Sequence, residues 1–213
     1  MRIAILVGRF PPKWLAGTEI ATYHMAEHLA QRGHEVHVIT SLDVGLPEVS
    51  YDNGFYVHRL PRIGIRLVSV SVFCAEIVRT IQKISPDVVH AQSLGIAAPA
   101  LISKWVLKIP YVVWGQGSDV YLPNRFIKLT SKTVIKNADS AIALTENMRR
   151  EMLNIYGRRV SVVPNGINLE RFEASSGVRK KGTEKTILFV GRLHPVKGVQ
   201  YLIEAMAIVH REM

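Results

Sequence analysis

The 213-residue chain is 48% hydrophobic and carries a formal charge of +10, enough apolar material for one large buried core. A single cysteine, Cys74, excludes an internal disulfide framework. No uncharged apolar run approaches the ~18 residues of a membrane-spanning helix, and Met1–Val7 is too short for a signal-peptide core, so the chain reads as cytoplasmic. The charge is uneven: nine Lys and Arg face eight Asp and Glu in residues 1–100, against eighteen and nine in 101–213. That bias suits an anionic partner, whether a phosphorylated substrate, an acidic lipid surface or nucleic acid.

Arg2–Gly8 is a short apolar run ending on glycine; a loop through Pro11 and Pro12 follows, then a helical stretch from Thr18 to Arg32. Gly33 ends that helix and the run to Thr40 reads as a second strand; Gly54–Leu60 reads as another, after the Asp52-Asn53-Gly54 turn. Val68–Ile84 is a helix stopped by Pro86. Asp87–Ala91, Tyr111–Trp114, Ser140–Thr145 and Val160–Val163 are four further apolar runs, joined mostly through helix-length segments. Strands apolar on both faces and linked by helices predict an α/β fold, a Rossmann-like, doubly wound parallel sheet. Ligands bind such sheets at the carboxyl ends of the strands, so the loops after Gly8, His90, Trp114 and Thr145 should line one cleft.

Pro164–Phe172 is turn-rich and a polar run follows, which predicts a domain over 1–172, a linker over 173–185 and the fragment of a second domain over 186–213. That fragment should comprise a strand ending at Val190, a Gly191–Gly198 loop and a helix.

The Gly8–Gly17 loop lacks the G-x-G-x-x-G spacing of a dinucleotide site, which argues against NAD or FAD. Gly17, just before a helix, suits close backbone approach by a phosphate or sugar, or marks a plain helix start. His24, Glu27 and His28 match the H-x-x-E-H pattern of inverted zinc proteases. An upstream glycine loop and a helix leading into a parallel strand is the wrong setting, so partly exposed helix histidines are favoured and a zinc hydrolase is a minor alternative. Lys128, Lys132 and Lys136 share one helical stripe, either a solvated face or a patch for acidic lipid headgroups; no aromatic interleaving points to nucleic acid. Arg192 and Lys197 sit near a helix amino terminus, where cations and backbone N–H groups can converge on a diphosphate. Cys74, in an apolar run, reads as a packing residue.

Five segments in order resemble family 4 of the glycosyltransferases. Ala16-Gly17-Thr18-Glu19 resembles its Gly-Gly-x-Glu loop, Leu29–Val36 its L-A-x-R-G-H-E-V run and Asp87–His90 its D-V-V-H strand. Val163–Asn168 resembles its V-P-N-G-V-D segment, and Gly191-Arg192-Leu193 with Lys197-Gly198 its G-R-L-x-x-x-K-G loop. The resemblance implies a retaining enzyme of GT-B architecture, with two facing Rossmann-like domains, that moves a hexose from a nucleotide-diphosphate sugar to a hydroxyl acceptor, sugar or lipid-linked. It implies Gly17, Arg192 and Lys197 on the donor diphosphate, and Ala16, His90, Gly117, Ser118, Asp119 and Glu146 facing the cleft. No metal or cofactor is called for.

Three departures bear on activity. Gln116 stands where the family has a catalytic His, and an amide can hydrogen-bond a hydroxyl but cannot titrate. Ala16 replaces the first loop glycine, a restriction if positive φ is needed there. The family's paired-glutamate donor segment has no counterpart in the 213 residues. The expectation is an amino-terminal acceptor-side domain with little activity by itself. The alternative is a non-catalytic binding half, which would assemble with a separate carboxy-terminal chain or rest on a membrane surface.

Overall fold

The computed structural model describes residues 1–62, 66–117, 119–121, 125–156, 159–167, 186–191, 193 and 195–212. The chain divides into two compact units, Met1–Ile167 and Asn168–Met213.

The first unit is one eight-stranded sheet. Its strands are β1 (Arg2–Leu6), β2 (Glu35–Ser41), β3 (Val49–Asp52), β4 (Phe55–Leu60), β5 (Val88–Ala91), β6 (Tyr111–Gly115), β7 (Ser140–Ala143) and β8 (Val160–Val162). Their spatial order is β3-β4-β2-β1-β5-β6-β7-β8, parallel throughout except for β3, which pairs antiparallel with β4. Chain order reverses on either side of β1, placing the topological switch point between β1 and β5.

Alternation along β1 shows how the sheet is buried on both faces. Ala4 and Leu6 join a core with Phe73, Ile77 and Ile81 of α2 (Arg66–Ile84), Leu101 of α3 (Ala98–Leu107), Ile135 of α4 (Arg125–Asn137) and Met152 of α5 (Glu146–Tyr156). Ile3, Ile5 and Val7 turn the other way, against Ala26, Met25 and Leu29 of α1 (Gly17–Gln31), together with Phe10, Val36, Val38, Phe55 and Val57. One face thus carries the layer α2–α5 and the other carries α1 over β1, β2 and β4.

β3 was not among the predicted strands. The Asp52–Asn53–Gly54 turn is present, with φ of +41° at Asn53 and +91° at Gly54, and it closes a hairpin whose first strand has no apolar run to announce it. Val49 and Tyr51 are exposed at the sheet edge. On α4, Val134 and Ile135 are buried while Lys132 and Lys136 are exposed, so the lysine stripe faces solvent; the Lys128 side chain lies outside the described residues.

In the second unit, residues 186–190 form no strand, contrary to the sequence expectation. An extended segment needs a neighbour to accept and donate its ladder bonds, and no strand is described in this unit. A 3₁₀ turn, Pro195–Lys197, leads through Gly198 (φ +68°) into α6 (Val199–Glu212), with Gly198 N–H donating to the Pro195 carbonyl at 3.0 Å. The linker 173–185, Asn168 and Arg192 lie outside the described residues.

Candidate functional site

The carboxyl ends of β1, β5 and β6 lie side by side, and their loops are tied to one another. The Gln92 N–H, just past β5, donates to the Leu6 carbonyl at the end of β1 (2.9 Å). The Gly8–Gly17 loop is pinned to the end of β2: Ser41 Oγ donates to the Gly8 carbonyl (2.7 Å), and Trp14 Nε1 donates to Asp43 Oδ2 (2.9 Å). Arg9 lies over the Trp14 ring, 3.9 Å from its centroid, which fixes a guanidinium in this loop.

The loop delivers the amino terminus of α1. Ala16, its N-cap residue, is extended (φ −89°, ψ 173°), so the backbone asks for no glycine there and the alanine imposes no restriction. Apart from its chain neighbours and the backbone of its own helix, nothing lies within 4 Å of where a Gly17 Cβ would sit. The helix start is therefore open to close approach, with unpaired N–H groups and the positive end of the helix dipole behind it.

The floor is a chain of amides. The Gln116 amide Nε2 donates to Gln92 Oε1 (3.0 Å), and the Gln92 Nε2 reaches His90 Nδ1 (3.0 Å) and Met25 Sδ (3.6 Å). The acceptors around Gln92 fix its orientation: its NH₂ faces the imidazole nitrogen and thioether, so its carbonyl faces Gln116. Gln116 then presents its own Oε1 away from the relay, with no hydrogen bond among the described residues. Gln92, only 1% exposed, was not singled out in the sequence. The available signal was its position two residues beyond His90, on the same strand face.

His90 is not a free cleft residue. It packs edge-on against Trp114 (ring centroids 5.7 Å), and burial pushes its pKa down to about 4, so at neutral pH it accepts from Gln92 as a neutral ring. His58, beside His37, is likewise pushed down to about 4, by burial first and by His37 second. The sign follows: both groups fold with pKa below the ordinary 6.5, so they favour the folded state above pH 6.5 and that contribution is lost as pH falls toward 4. For His90 it amounts to about 3 kcal/mol at most. Urea midpoints should fall between pH 6.5 and about 4, and a His90→Asn variant should flatten the slope; an equally steep fall in that variant would contradict the assignment.

Asp119 faces inward. Its Oδ1 accepts from the Gln116 backbone N–H (3.0 Å) and its Oδ2 from the Leu94 N–H (2.9 Å), so one carboxylate staples the loop after β6 to the loop after β5. Gly117 holds φ +125°, which only glycine adopts comfortably, and its carbonyl accepts from the Val120 N–H (2.9 Å). A Cβ on Gly115 would meet Val120 Cγ2 at 2.8 Å, so the end of β6 has room only for glycine. Ser118 lies outside the described residues. Glu146 begins α5 and is exposed; the Arg149 guanidinium holds its carboxyl below the usual range, with Arg149 Nε at 2.8 Å from Oε2. It is committed to its own helix and joins none of the groups above.

His24 and His28 take separate partners, Glu27 at 3.2 Å and Gln31 at 3.1 Å, and among the described residues no group of three potential ligands could hold a metal ion. Cys74 is partly buried and burial raises its thiol pKa, as a packing residue should show.

This arrangement defines an α/β domain whose switch-point loops carry a chain of hydrogen-bonded amides ending at Gln116 and whose first helix starts in open space, features suited to meeting hydroxyl groups and phosphate. A model of Glycosyltransferase Family 4 matches residues 15–171, and the chain belongs to that family. An uncharacterized glycosyltransferase of Methanocaldococcus jannaschii is 29% identical over 97% of this chain and 59% of its own length. Sucrose-phosphate synthase from Thermosynechococcus elongatus has the same fold, with a TM-score of 0.78 at 18% identity, over 98% of this chain and 60% of that one. Anabaena HepE in complex with UDP-glucose gives 0.60 at 17% identity, over 80% and 45%. The chain thus spans about three-fifths of the length of the first two, and its sheet is the Rossmann-like domain of a GT-B architecture.

Proposed function

We propose that the chain is the acceptor-side part of a retaining hexosyltransferase, which carries a hexose from a nucleotide-diphosphate sugar to a hydroxyl acceptor. The observation that carries this reading is the amide relay His90–Gln92–Gln116 within the segment that matches the family. The neutral imidazole and the Gln92 amide hold Gln116 in place to orient a substrate by a hydrogen bond, and none of the three moves a proton, which suits a reaction helped mainly by placement and by stabilising a departing diphosphate. Gln116 Oε1 accepts from a sugar hydroxyl, and the open backbone at Gly17 admits phosphate or sugar. The UDP-glucose held by the structural neighbour HepE supports a nucleotide sugar as donor. Arg192 and Lys197 hold its diphosphate in this reading. Asp119 acts by holding the Gln116 loop, and Ser118, its neighbour in sequence, is a further candidate for contact with the acceptor. The lone cysteine suits a reducing, cytoplasmic compartment.

The 213 residues span about three-fifths of their relatives, and we assign them little turnover by themselves. Incubation with labelled UDP- and GDP-hexoses and a panel of sugar, sugar-phosphate and lipid acceptors should give turnover far below the ordinary ~10 s⁻¹. Robust transfer by the purified chain would overturn the low-activity assignment while upholding the transferase reading.

A further inference from the structure

The helical layer on the α2–α5 face of the sheet presents an apolar surface that the sheet does not use. On α3, Ile102, Trp105 and Val106 follow one another at helical spacing and are exposed, Trp105 by 54% and Val106 by 67%. On α2, Val70 (67% exposed), Ser71, Cys74, Ala75 and Val78 form a parallel stripe. Ile102 reaches across to that stripe, and the two helices enclose a groove of about 520 Å³. A smaller cavity of about 190 Å³, sharing Val70 and Cys74, extends it toward the start of α3.

Cations border this surface. Arg79 lines the groove and Arg62 the smaller cavity, where its guanidinium lies 4.9 Å from the Phe73 ring centroid. Lys108 follows α3 directly and is exposed. Helix α4 packs beside α3, tied to it by Lys104 Nζ on the Asn137 carbonyl (2.9 Å), and contributes the exposed Lys132 and Lys136. The only acid within α2, α3 and α4 is Glu76, already paired with Arg79.

An exposed Trp and aliphatic side chains centred among cations are the composition of a surface that lies in a membrane interface: apolar groups enter the acyl boundary and cations meet anionic headgroups. We propose that the α2–α3 face, flanked by α4, docks the chain on an anionic phospholipid bilayer. The occupant is argued from charge complementarity: a partner must offer apolar surface and negative charge over a broad front, and α4 adds only cations to the margin. No helix among the described residues is long and apolar enough to cross a membrane, so the association is with the surface. The proposal stands apart from the transferase reading and needs no turnover to test.

The 213-residue chain should co-sediment with phosphatidylcholine vesicles containing phosphatidylglycerol, with Trp emission shifting to the blue, and bind pure phosphatidylcholine more weakly. Added salt should lower the binding. A double substitution, Trp105→Asp with Val106→Asp, changes only exposed positions and should weaken binding at least about tenfold; Lys132→Glu with Lys136→Glu should weaken it on acidic vesicles alone. Circular dichroism of each variant confirms its fold. Three results would overturn the proposal: no vesicle binding, binding unchanged by the α3 substitutions, which would assign it to other exposed apolar residues, or self-association through Trp105 in its place.

Discussion

Replacing Asp119 with alanine should lower the stability of the first unit by about 2–4 kcal/mol, since two backbone N–H groups lose a charged acceptor at once. The Leu94 and Gln116 amides, at 2.9 and 3.0 Å from the carboxylate, belong to different loops, so no local rearrangement restores both. For a unit of this size the thermal midpoint should fall by roughly 5–12 °C. Asp119→Asn retains one good acceptor and should lose about half as much. A melting curve unchanged in Asp119→Ala would show that the loops after β5 and β6 hold their positions without the staple.

Gln92→Leu should be the most damaging change at the site itself. It keeps the buried volume nearly constant but leaves Gln116 Nε2 and His90 Nδ1 without partners, at a cost of about 1–3 kcal/mol. It also frees the Gln116 amide to turn over, so Oε1 no longer faces the substrate side as a rule. Affinity for a hexose-bearing ligand should fall about tenfold, close to the fall in Gln116→Ala, and the double variant should add little to either single one. Gln92→Glu offers a discriminating control: its carboxylate still accepts from Gln116, so ligand affinity should survive better than in Gln92→Leu even as His90 loses its donor. Additive losses in the double variant would show that Gln92 does not act through Gln116.

The parallel core of the fold is visible in the sequence because it is buried on both sides. β1, with Ala4 and Leu6 on one face and Ile3 and Ile5 on the other, leaves an uninterrupted apolar run that only an interior strand explains. β3 escapes for the opposite reason: an edge strand with Val49 and Tyr51 exposed carries no burial signature, and its only signal is the turn after it. The run ending at Val190 looks like β1 in sequence yet forms no strand, because apolar content creates the demand for a sheet without supplying the neighbour.

The site was legible as a set of loops and illegible as a set of contacts. Gln116 could be placed by its neighbours in sequence, and Gly17 by its position before a helix. Which way Asp119 turns depends on whether backbone N–H groups from a distant loop come within reach, a property of the folded sheet. Gln92 is a similar case: a glutamine after a strand is unremarkable until the parallel register of β5 and β6 brings it beside Gln116. Ala16 is the converse, a departure from the family pattern that the extended backbone at that residue makes harmless.

A sugar substrate received by the loops at the carboxyl ends of β1, β5 and β6 should be visible residue by residue in solution. Amide NMR on the ¹⁵N-labelled chain, titrated with UDP-glucose and other nucleotide sugars and with hexose acceptors to millimolar concentration, addresses it directly. At least one of these ligands should shift the Gly17 backbone amide and the side-chain amides of Gln92 and Gln116 together, and Gln92→Leu should remove the response at Gln116. Shifts confined to other surfaces, or a cleft silent to every nucleotide sugar and acceptor tried, would contradict it.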